Sequence, residues 1–182
     1  VSAGIAKFAG AMYLPLGPSM SEVSIVPAMS VHSEGIWTIF QETVTAGETY
    51  VFPSDTCRED ALAYWFSGSH HPFVALEDRC VLGTYFLRPN YVGRGSHVAN
   101  ASYMVLAKAR GKGIGSMMCE HSLEEAKRRG YSAMQFNLVV STNHLAVRLW
   151  QRHGFRIVGT LPGVFRHPTR GLVDAFVMHR FL

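Results

Sequence analysis

Cysteine is scarce: Cys57, Cys80 and Cys119 are the three in 182 residues. An odd number without close pairing argues against a disulfide framework and against a zinc ribbon. The three read as free thiols of a reducing compartment, so a cytoplasmic location and no metal site are expected. Long apolar runs are missing too. None approaches the roughly 18 residues a membrane span requires, so no membrane partner is expected. Acidic residues are few, 13 against 17 lysines and arginines, for a formal charge of +4. The cations are scattered apart from Lys127–Arg129, which stand at a helix end where positive charge suits the dipole. They form no patch that predicts nucleic-acid binding.

A chain of this length is expected to form one domain with a sizeable core. Residues 1–19 are small, apolar and punctuated by glycine and proline. They are expected to be an extension that is not native to the domain, because Met20-Ser-Glu22 looks like a natural start. The domain is then 20–182. A secretory leader, suggested by Lys7 before an apolar run, is the rival reading; the free thiols argue against it.

Periodicity gives the elements. Glu22–Pro27 reads as a strand. His32–Thr45 carries Ile36, Trp37, Ile39, Phe40 and Val44 at helical spacing. A second helix runs to Trp65 and Phe66, capped by Asp55 or Thr56. Phe73–Leu76 and Cys80–Leu87 form a hairpin, Pro89–Gly95 a loop, and His97–Leu106 a further strand. A helix over Ile114–Arg129 puts Met118, Cys119 and Leu123 on its apolar half. Glu124–Arg128 and Glu125–Arg129 are spaced for exposed ion pairs. Tyr131–Val140 is a strand buried on both faces. Asn143 caps a helix that ends at His153. Phe155–Thr160 and Val173–Leu182 are the last strands, with a Pro/Gly loop between them. The order is β-α-α-β-β-β-α-β-α-β-β, an α/β (α+β) mixed sheet without repeat or linker.

The most distinctive stretch is Ala107–Ser116, where Gly111, Gly113 and Gly115 alternate beside Arg110 and Lys112. Glycine lets a backbone approach a ligand closely. The helix start leaves N–H groups unpaired and partly positive. Strand, glycine loop and helix start thus make an anion site suited to phosphate or pyrophosphate. A P-loop fails, because Lys112 lies between glycines with no Ser or Thr after it. A dinucleotide fingerprint is weak, because its third glycine is replaced by Ser116. The remaining pattern is Arg/Gln-x-x-Gly-x-Gly/Ala, met by Arg110, Gly113 and Gly115. It resembles motif A of the GNAT acyl-CoA N-acyltransferases.

A second stretch supports the resemblance. Asn143, Ala146, Leu149, Trp150, Gly154 and Phe155 are similar to that family's Asn-x-x-Ala-x-x-Leu-Tyr-x-x-x-Gly-Phe motif. Within the family, His97–Ala101, Phe136–Val139, Thr142-Asn143 and Leu172–Ala175 resemble the fungal proline-analogue (azetidine-2-carboxylate) acetyltransferases and, more distantly, the phosphinothricin-type acetyltransferases. The latter usually carry Glu where Asn100 stands.

The resemblance implies a GNAT fold and an acetyl-CoA-dependent N-acetyltransferase in which a small amine, amino- or imino-acid-like, attacks the thioester directly. The cofactor also accounts for part of the positive charge. Backbone near Met104 and Val105 is then expected to bond the pantetheine arm, and Arg110, Gly111, Lys112, Gly113, Ile114, Gly115 and Ser116 to hold the pyrophosphate. Asn143 is expected to cap its helix and orient the cofactor arm. Asn100 and Asn137, on strands that splay apart in the family, are expected to bind a substrate carboxylate. Tyr85 and Glu48 are candidates for substrate binding, with Tyr50, Phe52 and Trp37 as further pocket walls. Trp150 stands where many relatives have a Tyr acid, and indole is only a donor. Candidate bases are His97, Glu42, Glu48, His70 and His71. No Ser-His or Cys-His signature suggests a covalent intermediate. A homodimer is the expected assembly. The alternative is a non-catalytic acyl-CoA sensor.

Overall fold

The computed structural model describes residues 22–182; the extension expected over residues 1–19 lies outside the described residues. The elements are β1 (Ser24–Pro27), α1 (Ser33–Ala46), α2 (Arg58–Trp65), β2 (His71–Glu77), β3 (Cys80–Pro89), β4 (Val98–Val105), α3 (Ile114–Arg128), β5 (Ala133–Val140), α4 (His144–Arg152), β6 (Arg156–His167) and β7 (Gly171–Phe181), with short 3₁₀ turns between some of them. This is the order expected from the periodicity.

One seven-stranded mixed sheet runs β1-β2-β3-β4-β5-β7-β6. The helices cover both faces. On one face α1 buries Ile36, Ile39, Phe40 and Val44, spaced at three to four residues so that they share a stripe. Beside it the buried Trp65 of α2 donates its Nε1–H to Thr84 Oγ1 (2.9 Å), and Thr84 passes its own proton to the Phe73 carbonyl (2.9 Å). Every member of this buried polar chain is satisfied, as low-dielectric burial requires. On the other face α3 and α4 cover Phe73, Tyr85, Tyr103 and Phe136.

Four local expectations are corrected. Neither Asp55 nor Thr56 caps α2; the cap is Cys57, whose Sγ accepts from Asp60 N at 3.4 Å. Glu124 pairs with Lys127 (3.0 Å) rather than Arg128. Glu125 is buried, not exposed, and takes Arg128 (2.7 Å) and Arg129 (2.6 Å) together, so their guanidinium groups hold its carboxyl below the usual range. The Pro/Gly loop expected over 161–172 is mostly strand: β6 continues to His167, and the turn spans 168–170. Pro162 is accommodated because β6 is the sheet edge and its register slips between Leu161 and Phe165.

Candidate active site

The centre of the sheet opens. β4 and β5 run parallel but pair only at Val98↔Ala133 and Ala99↔Met134. Ser132 N bonds His97 O, whereas Asn90 N bonds Val98 O. By strand alternation the odd-numbered residues of β4 therefore turn their backbone groups toward β5 and the even-numbered ones toward β3. Beyond Ala99 those of Ala101, Tyr103 and Val105 face a gap. The Tyr103 carbonyl there accepts from Tyr50 Oη at 2.8 Å. The expected pair Met104–Val105 is thereby divided. Val105 faces the gap, while Met104 turns its backbone to Thr84 of β3 and buries its side chain in the core.

At the end of β4 a 3₁₀ turn, Ala107–Ala109, leads into the glycine loop. Gly111 (φ 78°) and Gly113 (φ 83°) take the left-handed conformation that side chains disfavour. Gly113 is the N-cap of α3 and offers no side chain to close the helix start. Among the described residues, the N–H groups of Gly111, Gly113, Ile114 and Gly115 have no backbone acceptor, while those of Arg110, Lys112 and Ser116 bond back to Ala107, Ala109 and Gly113. Four free donors at a helix N-terminus, with the exposed Arg110 and Lys112 beside them, form an anion cradle. A groove of about 550 Å³ between the end of α1 and this loop is lined by Gln41, Glu42, Thr45, Ala46, Ala107 and Arg110.

The Ser116 hydroxyl is engaged elsewhere. It lies 2.8 Å from His153 Nε2 and donates to Glu120 (3.4 Å), tying the start of α3 to the end of α4. No local pattern announces this Ser–His contact, since the two residues are brought together by helix packing. Asn143 caps α4, its Oδ1 accepting from Ala146 N at 3.1 Å. That leaves its amide nitrogen without a protein acceptor among the described residues.

Three asparagines meet where the strands part. Asn100 stands opposite Arg88 in the β3–β4 register. Its Nδ2 donates to Asn90 Oδ1 (3.0 Å), and Asn137 Nδ2 donates to the same oxygen (2.7 Å). Gln135 Nε2 in turn donates to Asn137 Oδ1 (2.9 Å). Asn137 lies at a bulge, where the β5–β7 register slips between Phe136 and Val139. Thr84, Phe86 and Arg88 share one face of β3, and Thr84 and Phe86 meet Trp65 of α2 there, so the asparagine cluster lies on the α1–α2 face.

That placement sorts the remaining candidates. Tyr50 and Phe52 lie on this face, stacked 6.1 Å apart between α1 and the gap. Burial pushes the Tyr50 phenol far up, so it acts as a neutral donor. Trp37 instead lines a separate cavity of about 200 Å³ with Ser54–Cys57. Tyr85 is a correction. It is fully buried on the α3 face, its hydroxyl 2.6 Å from His121 Nδ1, and cannot reach an acceptor on the other side of the sheet. Trp150 packs against Tyr103 (4.8 Å) and Phe136 (4.9 Å) on that same α3 face.

Of the candidate bases, Glu42 accepts from Ala107 N and His97 bonds the Arg94 carbonyl. His71 lies toward Glu125 and Arg129. Glu48 is exposed just after Gly47, which faces Pro168 of the β6–β7 turn. His70 alone of these rings lies flat on Phe86, 4.1 Å away, on the acceptor face. Burial first, then the charge of Arg88, hold it below the usual imidazole range. Asn90 escaped the sequence reading because Pro89–Gly95 carries only loop signals, and Arg88 because it falls between the strand expected to end at Leu87 and that loop.

Comparison with known proteins agrees with this geometry. A GCN5-related N-acetyltransferase from Kribbella flavida is 43% identical, covers 91% of this chain and all of its own, and superposes with a TM-score of 0.85. The N-acetyltransferase aca1 of Schizosaccharomyces pombe is 38% identical over 98 residues, 53% of this chain and 47% of that protein, so the match spans about half of that relative's length. A phosphinothricin acetyltransferase from Sinorhizobium meliloti, solved in complex with acetyl-CoA, shares the fold at 19% identity (TM-score 0.78, 88% of each chain). Residues 36–155 match the acetyltransferase (GNAT) family as a whole. The splayed strands, the free-amide loop and this match lead to one conclusion: the chain belongs to the GNAT acetyltransferase family.

Proposed function

We propose that the protein transfers the acetyl group of acetyl-CoA to the amine of a small amino- or imino-acid-like molecule. The observation that carries this reading is the gap between β4 and β5, with the free-amide loop at one end and the asparagine cluster at the other. Gly111, Gly113, Ile114 and Gly115 hold the pyrophosphate through their free N–H groups. The pantetheine arm lies along β4, bonded by backbone at Val105, and Asn143 turns its free amide nitrogen toward the arm. The thioester then sits in the gap, beside an acceptor that enters over the α1–α2 face.

The amine nitrogen attacks the thioester carbon, the C–S bond breaks, and CoA leaves as a thiolate that takes up a proton. Holding the two reactants side by side supplies much of the rate, because an encounter becomes an intramolecular event. His70, neutral and on the acceptor face, is the base candidate best placed to receive the ammonium proton. The exposed apolar residues Val158, Leu161 and Val164 of the edge strand β6 support pairing with a second copy.

Thiol release measured with acetyl-CoA and a panel of proline analogues, amino acids and polyamines tests this reading. Turnover is expected with carboxylate-bearing secondary or primary amines. The rival, an acyl-CoA sensor, draws on Asn100 and Trp150 standing where relatives carry Glu and Tyr. Binding of acetyl-CoA without release on any acceptor would favour the sensor.

A further inference from the structure

Three buried polar atoms have no hydrogen-bond partner among the described residues: His70 Nδ1, Arg88 Nε and Asn90 Nδ2. All three sit around the end of β3 on the acceptor face. Buried polar atoms are nearly always satisfied, so the two certain donors among them, Arg88 Nε and Asn90 Nδ2, point to an acceptor supplied from outside. The network fixes the direction of the Asn90 orphan. Its Oδ1 receives both Asn100 and Asn137, so its Nδ2, with two hydrogens, is turned away from them. Asn90 is only 7% exposed, and nothing among the described residues takes those hydrogens. Among the described residues Arg88, opposite Asn100 in register, spends only Nη1, on the Pro89 carbonyl (3.3 Å).

Asn100 and Asn137 each spend one Nδ2 hydrogen on Asn90 Oδ1, whereas both hydrogens of the buried Asn90 Nδ2 are free among the described residues. We propose that Arg88 and Asn90 are the pair that recognises the acceptor's carboxylate, and that Asn100 and Asn137 are positioning residues that aim Asn90. An ionised carboxylate is acceptor-only, with two oxygens to receive the guanidinium Nε–H and the amide N–H. Its site beside the β4–β5 gap places an amine on the adjacent carbon toward the thioester. This inference rests on the acetyltransferase reading and narrows its acceptor to α-amino or α-imino monocarboxylates.

The test compares acids with their uncharged counterparts, azetidine-2-carboxylate and proline against the corresponding carboxamides, in the CoA-release assay. The wild type is expected to favour acid over amide by about 100-fold in kcat/KM, as a site built around a charged hydrogen bond does. Arg88→Met should erase that preference while KM for acetyl-CoA stays within about threefold; Arg88→Lys, which keeps the charge but loses the Nε–H, should restore part of it. Asn90→Ala should lower the same ratio and serves in place of Arg88→Met if that variant does not fold, as judged by melting and acetyl-CoA calorimetry. Equal losses on acid and amide, or an unchanged ratio, would overturn the assignment. A wild type that turns over but ignores the carboxylate overturns it while leaving acetyl transfer intact. A wild type that binds acetyl-CoA but releases CoA with none of the acceptors sinks the underlying reading as well.

Discussion

Asn137 is exposed on β5, yet its amide is committed to Asn90. Asn137→Ala should therefore act through Asn90, raising KM for a carboxylate acceptor about tenfold while leaving KM for acetyl-CoA in place. Steady-state kinetics with each substrate varied in turn checks this, and equal changes in both would count against it. Tyr85→Phe is the contrasting case. It removes the buried hydroxyl that pairs with His121 Nδ1 and should cost about 1–3 kcal/mol of stability in urea unfolding with both KM values unmoved. Which residues could be found beforehand follows from chemistry. Asn100 and Asn137 stand out because an amide on an apolar strand demands a partner. Tyr85 was misplaced because β3 is buried on both faces, so hydrophobicity alone does not tell which face an aromatic takes. Arg88 and Asn90 were hidden because their meaning comes from the partners they meet across strands, not from their neighbours in sequence.

At the level of elements, the strand–loop–helix unit was legible because its glycines are chemically obligatory. Gly113 holds a φ of 83°, a conformation that costs a residue with a Cβ roughly 1–2 kcal/mol. Gly113→Ala should raise KM for acetyl-CoA several-fold by turning the free amides away, with a smaller effect on KM for the acceptor. The β6–β7 hairpin was less legible. Pro162 and Gly163 gave a loop signal, but an edge strand tolerates both, and Gly163 N is anchored by Asp174 Oδ1 at 2.8 Å. The resulting edge exposes Val158 and Val164 at 60% and 46%. If it pairs with a second copy, light scattering should report a dimer, and Val158→Glu with Leu161→Glu should return a monomer. A monomeric wild type would refute that pairing.

For the whole molecule, pH stability follows from its histidines. His70, His71 and His121 are all held below the usual imidazole range, burial being the largest cause for each. They stay neutral in the folded state to a lower pH than in the unfolded chain, where the pKa is about 6.5. Below that value the unfolded chain binds more protons. Stability is thus full above about pH 6.5 and declines as pH falls through the folded values. Glu125 loses its ion pairs only in the carboxylate range, well below this window. Thermal midpoints measured from pH 7.5 down to 5.5 should fall steadily; a flat or rising profile would contradict the assignment.

Because β4 is stitched to β5 at two positions only, the sheet is two leaves joined near one end. Across the rest of the seam the α3-side aromatics Tyr103, Trp150 and Phe136 pack against one another. A pantetheine arm lying along Val105 would then splint the leaves as a surrogate strand. Amides at Ala101 and Val105 should exchange with deuterium quickly in the free protein and slowly once acetyl-CoA is added. The reactant would in that case also be part of the scaffold, and the folded protein would grow sturdier with each tenfold rise in cofactor concentration.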